Sequence, residues 1–173
     1  MKKGKIKQLT VCASLAALGV VLLSIGPLID VLDASLAVLA SILCIVAVIE
    51  YGKAAPWMVF AVTAVLSLVL MPQNSAALMY LLFFGYYPIL KEKLERLPKV
   101  LSWVLKELIF NVAMVICIVA IKLLLFPTAA VTVWTYAILA VLCEVVFVLY
   151  DVALTRLISF YVYKIRGRFK FGG

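Results

Sequence analysis

From Leu9 to Leu28, twenty consecutive residues carry no charge, and five further runs nearly as apolar follow before the chain ends. A bilayer core about 30 Å thick takes about 20 apolar residues to cross as a helix. The runs fall near residues 9–28, 33–51, 54–71, 75–90, 104–126 and 130–153. They use most of the 173 residues, which leaves no length for a soluble domain. Composition agrees: 68% of the residues are hydrophobic and 14% charged, where soluble domains carry about 25% charge, and mean hydropathy is +1.24. The fold expected is all-α, a polytopic membrane protein built as one six-helix transmembrane bundle.

Punctuation separates the runs. Gly26-Pro27 closes the first, Gly52 and Pro56 part the second from the third, Met71 to Asn74 closes the third, and Phe126-Pro127 closes the fifth. Such short connections make neighbouring helices antiparallel. Lys2, Lys3, Lys5 and Lys7 before the first run resemble the head of a signal peptide. The apolar stretch is too long for a signal core and no polar region follows, so the run is read as a retained helix.

Basic residues set the expected orientation. Fifteen of the 16 Lys and Arg lie before run 1, between runs 2 and 3, from Lys91 to Lys106 at the entry to run 5, or after run 6. By the positive-inside rule those regions are cytoplasmic, both termini included, in a cell membrane. The connections near Asp30, Gln73 and Thr128 then face outward. This topology, with contact to anionic membrane lipids, accounts for the net charge of +8 and leaves no reason to invoke nucleic acid. In the tail, Phe160, Tyr161, Tyr163, Phe169 and Phe171 alternate with Lys164, Arg166, Arg168 and Lys170. That mixture suits the headgroup layer and reads as an anchor.

The stretch FFGYYPILKEKLERLPK, residues 83–99, changes from apolar to charged where run 4 is expected to leave the lipid, with Tyr86 and Tyr87 at the interface. Beyond it Leu94, Leu97, Leu101, Val104 and Leu108 recur at helical spacing. Glu92 with Arg96 and Glu95 with Lys99 are i,i+4 pairs in the favourable order. The segment 91–103 is therefore read as an amphipathic surface helix kinked at Pro98, serving either as a solvated connector or as a docking surface.

Small residues recur where helices would pack closely. Run 1 carries Ala13, Ala17 and Ser24 down one stripe and Cys12, Ala16, Gly19 and Gly26 down the next. Run 2 has Ala37, Ala40, Ser41, Cys44 and Ala47, and run 3 has Ala61, Ala64 and Ser67. These serve packing within the bundle, or, for Ala13 and Ala17, contact with another subunit.

Ionisable residues inside the bilayer are costly and point to function. Counting about 1.5 Å per residue, Asn111 lies about 22 Å below Phe126 and Glu144 about 21 Å below Ala130, so the two are level and expected to meet. Such a contact is either an interhelical tether or part of a proton or cation relay. Lys122 lies about 6 Å from its helix end. It either snorkels to the headgroups or points inward to an anionic ligand group near Trp134, with Asp33 and Asn74 at the adjoining helix ends.

Several chemistries are excluded. The chain has no histidine, and Cys12, Cys44, Cys117 and Cys143 stand singly within helices, so no metal-site or disulfide spacing is present. No phosphate-cradling glycine loop and no nucleophile with a neighbouring base is found. No catalytic residue, cofactor or metal is assigned, and the chain is not read as an enzyme.

The opening KIKQLTVCASLAALGVVL, with Ala13-x-x-x-Ala17 followed by Leu18-Gly19-Val20-Val21-Leu22, resembles the first helix of the substrate-binding S components of energy-coupling-factor (ECF) vitamin transporters. Length, helix count and basic inner loops are similar over the whole chain. The resemblance implies that Ala13 and Ala17 dock onto a transmembrane coupling subunit driven by cytoplasmic ATPases. It also implies a vitamin-like small molecule bound in the outward half, near Lys122, Trp134 and Asn74. The other reading is a non-transporting scaffold, similar in size and helix count to the rod-shape protein MreD, which recruits partners through its basic cytoplasmic face.

Overall fold

The computed structural model describes residues 2–28, 32–52, 54–124 and 133–165. Every regular element among them is helical. The connections expected around Asp30 and Thr128, and the tail from Arg166 onward, lie outside the described residues.

In chain order the helices are α1 (Lys2–Ser24), α2 (Asp33–Tyr51), α3 (Ala55–Leu70), α4 (Ser75–Met79), α5 (Tyr87–Leu94), α6 (Lys99–Leu124) and α7 (Val133–Phe160). A 3-10 turn, Gly26–Leu28, follows α1, and π-helical turns occupy Tyr80–Phe84 and Tyr161–Ile165. Four helical stretches are long and apolar enough to cross a membrane: Gly4–Ser24, Asp33–Tyr51, Lys99–Leu124 and Ile138–Lys164. The third apolar helix, Ala55–Leu70, is shorter, at 16 residues.

The fourth expected run is not one helix. α4 lasts five residues and passes into the π turn, where the Gly85 amide donates to the Tyr80 carbonyl at 2.7 Å across five residues. α5 then restarts with Pro88 in its first turn. Proline has no amide proton for the carbonyl four residues back, so a continuous α-helix is interrupted there. The expected surface helix 91–103 is likewise divided. α5 ends at Leu94, and the chain turns through Glu95–Pro98. Lys99 already belongs to the long helix α6.

The chain divides into two compact units, residues 1–125 and 126–173. In the first, α1 packs on α2 and α3 through the small residues. Cys12 and Ala16 meet Ala47, Ala55 and Val59 in one cluster, and Leu23 meets Ala37, Ala40, Ala64, Ala76 and Tyr80 in another. A Cβ on Gly19 would lie 2.9 Å from Thr63 Cγ2, and Thr63 Oγ1 donates to the Ala16 carbonyl at 3.4 Å. Without a methyl group at position 19 the two helices approach closely, which is how dispersion holds helices together in lipid. On α2 all five expected small residues are buried, whereas on α3 Ala64 and Ser67 are buried and Ala61 is exposed.

An aromatic cluster fills the region around the helix break. The Phe83 ring lies 4.8 Å from Tyr87 and 5.3 Å from Phe110, and Phe60 of α3 packs on Tyr80 and Tyr86. Tyr87, expected at the membrane interface, is fully buried. Sequence spacing alone could not reveal that its ring packs on Phe83, which in turn meets Phe110 of α6.

In the second unit α7 runs directly into its π turn. Thr155 Oγ1 and Ser159 Oγ donate to the carbonyls of Asp151 and Thr155, each at 2.9 Å, which satisfies these hydroxyls within the helix. The Lys164 ammonium sits 5.3 Å above the Phe160 ring, one turn away, pairing a cation with an aromatic face.

Candidate functional site

Two polar clusters stand out in the first unit. The first joins the ends of α1, α2 and α4. Asn74 caps α4: its Oδ1 accepts the Ala77 amide at 3.0 Å, and its Nδ2 donates to the Leu23 carbonyl at 2.7 Å. One side chain thus satisfies a free helix N-terminal amide and a free C-terminal carbonyl. It does so at 1% exposure. Asp33 opens α2, where the helix dipole favours a carboxylate, and it accepts the Ser75 hydroxyl.

Gly26 makes the cluster possible. A Cβ there would lie 2.8 Å from Asp33 Oδ1, 3.0 Å from the Ala76 methyl and 3.3 Å from Asn74 Oδ1. Beside the cluster an open depression of about 340 Å³ is lined by Pro27, Met71, Pro72, Gln73 and Asn74.

Of the four residues expected around a ligand, the structure therefore joins Asp33 and Asn74 through Ser75. Lys122 is exposed near the end of α6, and Trp134, in the second unit, is 77% exposed. Gly26 and Ser75 were missed as partners. The Asn74-Ser75 cap ahead of an apolar stretch was a readable signal for α4, but nothing in the spacing linked it to Asp33.

The second cluster lies where α5 meets α6. Glu95 Oε1 takes the Lys91 ammonium at 2.8 Å and the Lys106 ammonium at 3.3 Å. The side chain of Lys91 is 0% exposed and that of Lys106 is 5% exposed. Lys106 also lies 5.5 Å from the Trp103 ring centre. Lysine is rarely buried without a counter-charge, and here Glu95 contacts both.

The Glu92–Arg96 pair forms as expected, at 2.7 Å. The Glu95–Lys99 pair does not, because α5 ends at Leu94 and the turn through Pro98 removes the helical geometry that would set them four residues apart on one face. Lys91 sits four residues before Glu95 and was legible as a partner. Lys106, eleven residues on, was not.

Asn111 donates to the Glu107 carbonyl of its own helix at 3.1 Å. Glu144 is half-buried, and its Oε2 accepts no hydrogen bond from the described residues. The two belong to different units, so their expected contact would bridge the units. On α1 the two small-residue stripes separate: Cys12, Ala16 and Gly19 are buried, whereas Ala13 and Ala17 are exposed.

Comparisons with protein families, curated proteins and solved structures find no match for this chain.

Proposed function

We propose that this chain is the substrate-binding membrane subunit of an ATP-driven importer of the ECF type, carrying a vitamin-like small molecule. In this reading the chain crosses the cell membrane six times, through α1, α2, α3, the divided segment Ser75–Leu94, α6 and α7. Both termini lie in the cytoplasm. A transmembrane coupling subunit packs on Ala13 and Ala17, and cytoplasmic ATPases supply the energy.

The observation that carries the reading is the separation of the stripes on α1. The small residues needed for packing inside the unit are buried, yet Ala13 and Ala17 remain on the outside. Small residues let another helix approach closely in lipid. Gln73 and Asn74 are the polar residues lining the depression beside the Asp33–Ser75 pair, where this reading places a ligand. Lys122 and Trp134 are the further ligand candidates.

The test is native mass spectrometry of the complex purified gently from its host. Co-purification of an ATPase module and a bound metabolite is expected, with the module lost in the Ala13→Leu/Ala17→Leu variant. An empty chain accompanied by a scaffold-like set of cytoplasmic proteins, with no nucleotide-dependent partner, would overturn it.

A further inference from the structure

The charge balance at the α5–α6 corner differs from what the sequence spacing implied. Between Lys91 and Lys106 the chain carries five cations and only two carboxylates. Glu92 is held by Arg96, and Glu95 is drawn inward to the buried Lys91 and Lys106. Both carboxylates are thereby engaged. Lys93 and Lys99, both exposed, have no ion-pair partner among the described residues.

Lys99, the first residue of α6, stands at the head of an apolar strip, and Lys93 lies at the end of α5, just before the turn that leads into it. Val100, Val104, Leu108, Val112, Val115 and Val119 recur every three or four residues along α6, and each is more than half exposed. Val100 reaches 78%. Trp103, four residues after Lys99, is 43% exposed at the same end. Cations beside an aromatic ring at the end of a long apolar helix match the headgroup layer of a membrane, and the strip below matches its acyl chains. A soluble acidic partner would account for the lysines but not for their continuity with the strip.

We propose that the α5–α6 corner binds an anionic phospholipid, with its phosphate at Lys93 and Lys99 and its chains along the exposed face of α6. Burial of Lys91 and Lys106 is what frees the surface pair, since it removes Glu95 from competition. The inference rests on α6 crossing the bilayer and is independent of any transported solute.

The full chain carrying Trp57→Phe and Trp134→Phe, reconstituted in mixed phosphatidylcholine and phosphatidylglycerol vesicles, reports on the corner through Trp103. With brominated acyl chains placed on one lipid at a time, phosphatidylglycerol is expected to quench more strongly at equal mole fraction. The local enrichment should amount to about fivefold for each lysine at low salt. Lys93→Gln/Lys99→Gln should abolish the preference, whereas Lys5→Gln/Lys7→Gln should preserve it. Equal quenching by the two lipids would overturn the proposal, as would a preference that survives the first pair or disappears with the second. Retention of an acidic soluble protein at the corner with no lipid preference would also overturn it. Absence of quenching by either lipid would overturn the membrane placement of α6 as well, while loss of transport with the lipid preference intact would tell only against the proposed function.

Discussion

Gly85 shows how one missing methyl group sets local geometry. A Cβ there would run into Phe60 Cδ2 and lie 2.8 Å from Tyr80 Cε1, both in rings already packed against neighbours. Neither ring can swing aside without disturbing the aromatic cluster. Gly85→Ala should therefore cost about 1 to 3 kcal/mol by overpacking, read as a lower thermal midpoint in detergent. Gly4→Ala, where nothing lies within 4 Å, should leave the midpoint unchanged or slightly raised. An unaltered midpoint for Gly85→Ala would show that Phe60 gives way freely. Gly85 and Pro88 make a bend legible in the sequence, but not the end of α4 after five residues in a π turn. The burial of Tyr87 was not legible either, because a tyrosine at a helix end suits the interface and a core equally well until the neighbouring helices are known.

Among the elements, the α5–α6 corner shows where helical periodicity stops being a guide. Three i,i+4 acid–base pairs can be written across residues 91–99, and the structure forms two of them. The third is lost because the chain turns at Glu95–Pro98. Glu95→Gln would remove a carboxylate that the buried Lys91 and Lys106 both contact, and a destabilisation of about 1 to 3 kcal/mol is expected. The exposed counterpart Glu92→Gln should cost under about 1 kcal/mol. Thermal unfolding of both variants at two salt concentrations compares them, and equal losses would show that Glu95 serves the fold no more than a surface pair does. α1 teaches the same lesson differently. Its two small-residue stripes look equivalent in sequence, and only the position of α2 and α3 makes one a packing face and leaves the other outside.

At the level of the whole molecule, the prediction that matters most is topology. Reporter fusions at the N and C termini should both give cytoplasmic signals, as the proposed six crossings and the basic residues at both ends imply. Opposite signals would show that α3 or the segment Ser75–Leu94 fails to cross. A second prediction concerns Asn111 and Glu144, one in each unit. If they meet, a double-mutant cycle with Asn111→Ala and Glu144→Gln should return a coupling of about 0.6 kcal/mol, the average for such contacts in a membrane. Coupling near zero would leave Asn111 to its own helix carbonyl. Unchanged function of Glu144→Gln at every pH would exclude a relay through that carboxylate.

The all-helical character, four of the long apolar helices and the bend at Gly85 and Pro88 follow from residue order, because apolar run length and proline chemistry are local properties. What holds Asp33 to Ser75, draws Glu95 between two buried lysines and leaves Ala13 and Ala17 outside depends on which helices lie side by side. Those contacts join residues up to 51 positions apart, as between Asn74 and Leu23, and no local pattern encodes them. The charged stretch after FFGYYPIL thus changes meaning: it is a corner where Glu95 turns to two buried lysines and Glu92 to Arg96, leaving Lys93 and Lys99 on the surface, and not a single amphipathic helix.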